Sequence, residues 1–193
     1  MKVSTPSQYA LLGFLSRGPH SGYDIKKALG ESTQHFWGES YGQIYPNLKK
    51  LAEAGLATRE TKRQDGKPDR KVYTITQAGR EALLEWLAES PNRTPPRNEL
   101  LLKLFFAHRT SPKVAAQHVE RYKTELQTDL TTYQEIERWL ETDYADHPAL
   151  PYWLMTLSYG RLEAEALLKW CDETLETLLT LAAEEAVKEN EGK

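Results

Sequence analysis

The chain is poor in the residues that carry covalent and redox chemistry. It has one cysteine, Cys171, among 193 residues. No disulfide can form within one chain, and a reducing cytoplasm is the expected compartment. No apolar run approaches the roughly 20 residues that a bilayer-spanning helix needs, so no membrane partner is expected. The first apolar stretch, Tyr9 to Leu15, is too short and too weakly flanked for a secretory signal. The five histidines, His20, His35, His108, His118 and His147, show neither HxxxH nor HExxH spacing, so no metal site is expected. There is no Walker loop and no GxGxxG, and no cofactor is implied. Glu163 and Glu165 stand two apart on a predicted helix, on different sides, and cannot share acid–base work. Cys171 falls on an apolar helical stripe and reads as a small hydrophobe. Together these absences argue against an enzyme. Internal repeats and low-complexity tracts are also missing.

What is present fits an ordinary globular protein, with 39% hydrophobic and 27% charged residues. Ten Tyr, five Trp and four Phe are enough to fill a sizeable core. The net charge of -3 hides an asymmetry. Residues 1–98 carry 15 Lys and Arg against 10 Asp and Glu, whereas residues 99–193 carry 10 against 18. A basic half suits a polyanion, and an acidic half is kept off one by repulsion.

Three prolines fall within Pro91 to Pro96, and none can continue a helix. They divide the chain into a unit at 1–90, a linker at 91–98 and a second unit at 99–193. In the first unit, Tyr9, Leu11, Leu12, Phe14 and Leu15 predict a helix from about Thr5 to Ser16. Arg17 to His20 reads as a turn. Ser21 can N-cap a second helix that Gly30 ends, and a third helix runs from about Ser40 to Gly55. Two strands follow, near Ala57–Arg63 and Lys71–Ile75, joined by a loop at Gln64–Pro68. Thr76 caps a fourth helix, Gln77 to Glu89, expected to be buried through Ala82, Leu83, Trp86 and Leu87.

The second unit reads as wholly helical. Glu99 to His108 is so apolar that deep cover is expected. A long helix from Ser111-Pro112 to about Thr142 carries Val119, Tyr122, Leu126, Leu130, Tyr133, Ile136 and Leu140, a coiled-coil-like spacing. Asp146 to Pro151 breaks it. In the last helix, Tyr152 to Glu185, Leu157, Ala164, Cys171 and Leu178 repeat every seven residues. Leu168, Leu175 and Ala182 continue a companion series that begins at Arg161. One subunit is not expected to cover this seam, so Leu157, Ala164, Leu168, Cys171, Leu175 and Leu178 are assigned to a homodimer interface. A hairpin satisfied within its own chain is the alternative.

The richest stretch is Gly38 to Ala78. On a helical wheel, Tyr41, Ile44, Leu48, Leu51 and Ala52 fall on one side of the third helix and should pack inward. Gly42, Gln43, Pro46, Lys49, Lys50 and Glu53 lie opposite, flanked by Tyr45 and Asn47. Pro46 is expected near the first turn, where a missing N–H costs least. Gln can bond adenine and Lys can reach guanine or phosphate. Alone, the lysines describe a solvated face. The next segment adds Lys62, Arg63, Lys67, Arg70 and Lys71 against only Asp65 and Asp69. A helix followed by a basic hairpin is the layout of a winged helix-turn-helix, and double-stranded DNA is the expected partner. The fold class is therefore mainly α: an N-terminal winged helix-turn-helix with a two-stranded wing, then an all-α domain of long helices. A winged helix gripping protein is the alternative, but it would not need five basic residues in its hairpin.

The runs His20-Ser21-Gly22-Tyr23-Asp24-Ile25, Gly42-Gln43-Ile44-Tyr45-Pro46-Asn47-Leu48-Lys49-Lys50-Leu51, Gly55-Leu56 and Lys71 to Arg80 strongly resemble PadR-family transcriptional regulators. Asn98 to Lys103, Gly160 to Glu163 and Trp170 resemble, more loosely, the C-terminal half of the longer members. The resemblance implies a homodimeric bacterial repressor on a palindromic operator, dimerised through its C-terminal helices. It implies DNA contacts by Gln43, Tyr45 and Lys49, with Ser21 and Tyr23 bracing phosphates; Asn47, Lys50, Arg63, Lys67 and Arg70 join these from the residue reading. Packing is an equal or better explanation for Tyr45 and Tyr23, and Tyr73 reads as core. Some members of the family release DNA on binding a phenolic acid.

Arg161 occupies a seam position where Leu or Ile is expected, and a guanidinium there needs a carboxylate. A Glu such as Glu99 or Glu137, or snorkelling at the helix edge, is the favoured explanation. The other is a bound aromatic acid, with Trp153 and Tyr152 stacking nearby.

Overall fold

A computed structural model describes residues 5–33, 36–64, 67–92 and 97–191; for residues 64, 67, 68 and 188–191 the description stops at the backbone. The chain forms two compact units, 1–93 and 94–193. Residues 93–96, within the predicted linker, lie outside the described residues.

Unit 1 begins with helix α1 (Pro6–Leu15), which opens on a proline where the missing N–H costs nothing. The predicted turn after it ends in a strand instead. β1 (His20–Ser21) pairs antiparallel with a later strand, His20 opposite Tyr73 and Ser21 opposite Val72. Two residues are too few for alternation to reveal a strand. Ser21 then N-caps α2 (Gly22–Ser32). Helix α3 (Tyr41–Glu53) follows, then β2 (Ala57–Gln64), β3 (Lys67–Ile75) and α4 (Gln77–Ala88). β3 begins four residues earlier than its sequence suggests. The sheet is three-stranded, in the order β1-β3-β2. One core holds the unit: Leu11, Leu12 and Leu15 of α1, Ile25 and Leu29 of α2, Ile44, Leu48 and Leu51 of α3, and Tyr73 and Ile75 of β3.

Helix α3 ends in a paired cap. The Gly55 N–H donates to the Ala52 carbonyl at 3.1 Å, and the Leu56 N–H to the Leu51 carbonyl at 2.9 Å. Gly55 takes φ +73°, a left-handed value that a side chain disfavours by about 1 kcal/mol. Leu56 and Leu51, the two apolar partners of this motif, are both buried. The Leu56 carbonyl then accepts from the Thr76 N–H at 3.1 Å, and the Thr76 hydroxyl donates to the Gly55 carbonyl at 2.8 Å. The same hydroxyl accepts from the Gly79 N–H, starting α4. A Cβ at Gly79 would lie 2.1 Å from the Leu56 oxygen, so only glycine fits there. Along α4, Trp86 stacks on Tyr9 at 4.7 Å, and Ala82 and Leu83 are half-buried. Leu87, expected inside, is exposed.

Unit 2 holds α5 (Glu99–Phe105), a 3-10 turn (Ala107–Arg109), α6 (Pro112–Asp143) and α7 (Leu150–Glu191). The expected deep cover of α5 is absent: none of its residues is buried. α6 and α7 form an antiparallel hairpin joined by a short turn, with Lys123 of α6 paired to Asp172 of α7. Val119, Leu126, Tyr133 and Leu140 repeat every seven residues and meet Leu157, Ala164, Cys171 and Leu178. That corrects the assignment of these last four to a subunit interface: all are buried within one chain. Leu168 and Leu175 are half-buried at the edge of the same seam. A heptad repeat specifies a helical partner but not whose helix it is. Burial pushes the Cys171 thiol above its ordinary pKa, as expected of a packed hydrophobe. Among the described residues, no helix is long and apolar enough to cross a membrane and no cluster could hold a metal ion.

Candidate nucleic-acid interface

The inward face of α3 is Ile44, Leu48 and Leu51, spaced four and three apart and fully buried. This fixes what looks outward: Gly42, Gln43, Tyr45, Pro46, Lys49, Lys50 and Glu53, with Asn47 half-buried at the edge. Tyr41, placed inward by the wheel, is exposed and stacks on Tyr45 with ring centres 6.1 Å apart. As the first helical residue it precedes the packed stripe and escapes the core. Pro46 is the sixth residue of α3, in the second turn and not the first. The bond it forfeits is to the Gly42 carbonyl, which faces solvent, so the loss is small. No acidic residue sits in the first turn, which leaves the positive end of the helix dipole unopposed.

Gln43 has a structural task as well as an outward pose. Its Oε1 accepts from the Ser40 N–H and from the Ser40 hydroxyl, both at 3.0 Å. A Gln three residues past the N-cap is half of a capping box, and this one uses its acceptor for it. The Nε2 donor has no partner among the described residues. Bidentate bonding to adenine, which needs both atoms, would require the cap to open; a single donated bond to a base acceptor would not.

Tyr45 combines the two roles that the sequence left open. A Cβ at Gly22 would come within 2.6 Å of its ring, so the ring lies flat against the first turn of α2. It is nevertheless 45% exposed. Tyr23 is 61% exposed, which corrects the preference for packing, and Tyr73 is in the core as expected. Ser21 is only 5% exposed and its hydroxyl donates to Asp24 Oδ2 at 2.8 Å. The side chain expected on a phosphate is thus occupied in capping α2.

The cations divide into partnered and free. Lys26 donates to the Glu39 carbonyl, Lys27 pairs with Glu31, and Lys49 pairs with Glu53 at 3.5 Å. Arg70 reaches Asp24, 46 residues away, through Nη2 at 2.7 Å from Oδ1. Among the described residues, Lys50, Arg59, Lys62, Arg63, Lys71 and Arg80 have no carboxylate partner. Four of these lie on the wing. Lys62 stands directly opposite Arg70 across the sheet. Like charges directly opposite are unfavourable, and the Asp24 carboxylate on Arg70 offsets part of that cost. Lys67 lies on β3, but its side chain is outside the described residues, as is the hairpin tip at Asp65 and Gly66. Sequence reasoning passed over Arg59, which alternation places on the same face as Lys71 and Thr61. It also passed over Asp24.

The residues named for a ligand are engaged otherwise. Arg161 Nη1 donates to Glu165 at 2.8 Å, one turn along α7. The favoured ion pair thus forms, but with neither Glu99 nor Glu137; Glu99 holds Lys103 instead. Trp153 stacks on His147 at 4.6 Å and meets Tyr144 edge-on, closing the α6–α7 turn. Tyr152 is exposed. A groove of about 660 Å³ lies elsewhere in unit 2, lined by Leu104, Ala107, Trp170, Glu173 and Leu181 among others, and touches neither Trp153 nor Arg161.

Comparison with known proteins agrees with this layout. A model described as the transcriptional regulator PadR-like family matches residues 11–85, and one described as virulence activator alpha C-term matches residues 96–178. The chain is 37% identical over 121 residues to the negative transcriptional regulator PadR of Bacillus subtilis, a match spanning 62% of this chain and 65% of that protein. It is 29% identical over 182 residues to a probable transcriptional regulator of Mycobacterium tuberculosis, spanning 88% and 96%. Among solved structures, Bacillus subtilis PadR in complex with operator DNA superposes with a TM-score of 0.76 at 29% identity, covering 89% of this chain and 98% of that one. The same protein with p-coumaric acid gives 0.71 at 28%, covering 89% and 97%. The Vibrio cholerae virulence activator AphA gives 0.72 at 30%, covering 91% and 99%. Relatives at both ends of the chain, and a fold shared across nearly all of it, lead to one conclusion: this protein belongs to the PadR family of winged-helix transcriptional regulators.

Proposed function

We propose that the protein is a sequence-specific repressor that binds a palindromic operator as a homodimer. The observation that carries this is the set of unpartnered cations on the wing, next in sequence to a helix whose open face shows Gln43, Tyr45, Lys49 and Lys50. In this reading α3 enters the major groove, and Gln43 Nε2 donates to a base edge. Lys62, Arg63 and Lys71, with Lys67 at the tip, take phosphates. Lys49 joins them once its weak, exposed bond to Glu53 opens. Tyr23 and Tyr45 lie against the backbone, Asn47 trims the edge of the contact, and Ser21 holds α2 in place without touching DNA.

The dimer surface is reassigned. Tyr152, Met155, Tyr159 and Leu162 are exposed at spacings of three, four and three, one continuous stripe on the outer face of α7. Leu101, Leu102, Phe105 and Phe106 are exposed around α5. Exposed apolar area of this extent suits a second copy. Leu168 and Leu175 contribute at most from their half-buried edges. The protein works in the bacterial cytoplasm, on the nucleoid. Release by a small phenolic acid is supported by the p-coumaric acid complex of the Bacillus subtilis relative.

A gel shift with the promoter of the coding sequence tests the central claim. Retardation at low ionic strength, lost as salt rises, is expected. No retardation in the absence of phenolic acids would sink it. Adding p-coumarate to the retarded complex tests the effector separately.

A further inference from the structure

Asp24 is the only carboxylate among the described residues that ties the wing to the helices. Its Oδ2 accepts from the Ser21 N–H at 2.7 Å and from the Ser21 hydroxyl at 2.8 Å. The Arg70 guanidinium donates to both of its oxygens. Ser21 is itself paired to Val72 of β3, two residues beyond Arg70 and on the same side of the strand. One short segment, His20 to Asp24, thus holds β3 by its backbone and by a charged clasp. Burial would raise the Asp24 pKa, but the hydrogen bonds from Ser21 and Arg70 outweigh it and hold the carboxyl below its usual range.

We propose that Asp24 is a positioning residue that clasps Arg70, sets the pose of the wing against α2, and keeps the Arg70 guanidinium off the DNA. This rests on the DNA-binding reading above. The charge opposite Arg70, Lys62, then stands alone to meet phosphate. Arg70 is the one wing cation among the described residues with a carboxylate partner, and that partner is anchored at a helix N-terminus and is not a mobile surface group. Its role is to orient its neighbours.

Counterion release separates this role from direct contact, because each neutralised phosphate contributes about 0.9 to the slope of log K against log salt. Full-length wild type, Lys62→Ala, Arg70→Met, Asp24→Asn and the double variant Asp24→Asn/Arg70→Met would be titrated with a mixed-sequence duplex over a salt series. Lys62→Ala is expected to lower the slope by about 0.9. Arg70→Met should leave the slope as it is while weakening affinity through a misplaced wing. Asp24→Asn should raise the slope by about 0.9 as Arg70 is released to a phosphate, and the double variant should lose that rise. A slope reduced by about 0.9 in Arg70→Met would overturn the proposal, because Arg70 would then be a phosphate contact. An unchanged slope in Asp24→Asn would overturn it too. A Lys62→Ala slope equal to wild type would take Lys62 off phosphate and overturn its part in this proposal, whereas a wild-type slope near zero would sink the underlying DNA-binding reading. Should Asp24→Asn not fold, Arg70→Met decides alone.

Discussion

The two units solve opposite problems. Unit 1 packs one apolar core from α1 to β3 and, among the described residues, leaves Lys50, Arg59, Lys62, Arg63, Lys71 and Arg80 without a carboxylate partner. Unit 2 pairs its charges along its helices, Lys103 with Glu99, Arg121 with Glu125, Arg161 with Glu165 and Lys169 with Glu173, and leaves large apolar side chains in the open. An isolated protein gains nothing from either kind of residue. Unpaired charge repels its neighbours, and exposed apolar area invites association. The two deficits differ in kind, so each suits a different partner: a polyanion would relieve unit 1 and an apolar protein surface unit 2.

The largest expected effect breaks unit 1 without touching unit 2. Gly79→Ala drives a methyl into the Leu56 carbonyl and should destabilise unit 1 by about 3 kcal/mol. Thermal unfolding should then show two transitions, with the second near its wild-type position; a single unshifted transition would mean α4 can move aside freely. Next comes the apolar stripe. If the proposed homodimer forms, Tyr159→Asp with Leu162→Asp should sediment as a monomer beside a dimeric wild type, with the chain's helical circular dichroism kept, and a dimeric variant would take the stripe out of the interface. Lys62→Ala with Arg63→Ala should flatten the salt dependence of DNA binding by about two phosphates' worth. Lys103→Ala with Lys169→Ala removes the same charge from unit 2 and should leave the slope alone. If both pairs act alike, net charge matters and placement does not.

Smaller effects sharpen the picture. Gln43→Ala should cost about 1 kcal/mol of stability as its cap bond, and about 1–3 kcal/mol of discrimination at one base pair. Equal weakening on every sequence would leave Gln43 as a cap alone. The smallest is a pH effect. The folded Asp24 pKa is lowered, so its contribution is complete above the ordinary carboxylate pKa of about 3.9 and is lost as pH falls through the lower folded value. Asp24→Asn should therefore flatten the acid end of the stability curve; an acid limb identical to wild type would remove Asp24 from that balance.

Local chemistry was readable along the chain, and distant pairing was not. Ser21 and Thr76 announce helix starts because a cap needs only its own next three residues. Ile44, Leu48 and Leu51 announce a buried face because their spacing is fixed by one helix. Arg70 and Asp24 stand 46 residues apart, and no spacing rule connects them. β1 is too short to alternate. The repeat at Leu157, Ala164, Cys171 and Leu178 correctly demanded a helical partner, yet nothing in a period of seven names the chain that supplies it. The wheel points Gln43 outward toward a base, while its bond to Ser40 depends on a rotamer that three-residue spacing permits but does not fix.

At Leu56, one peptide ends α3, leads into β2 and receives α4 through Thr76 and Gly79. Rod and ribbon therefore share one fixed root, and only the ribbon's far end is left to the contact between Asp24 and Arg70. A descendant that acquires a taste for different sequences has most freedom in the teeth of this key, since the root of its blade is fixed.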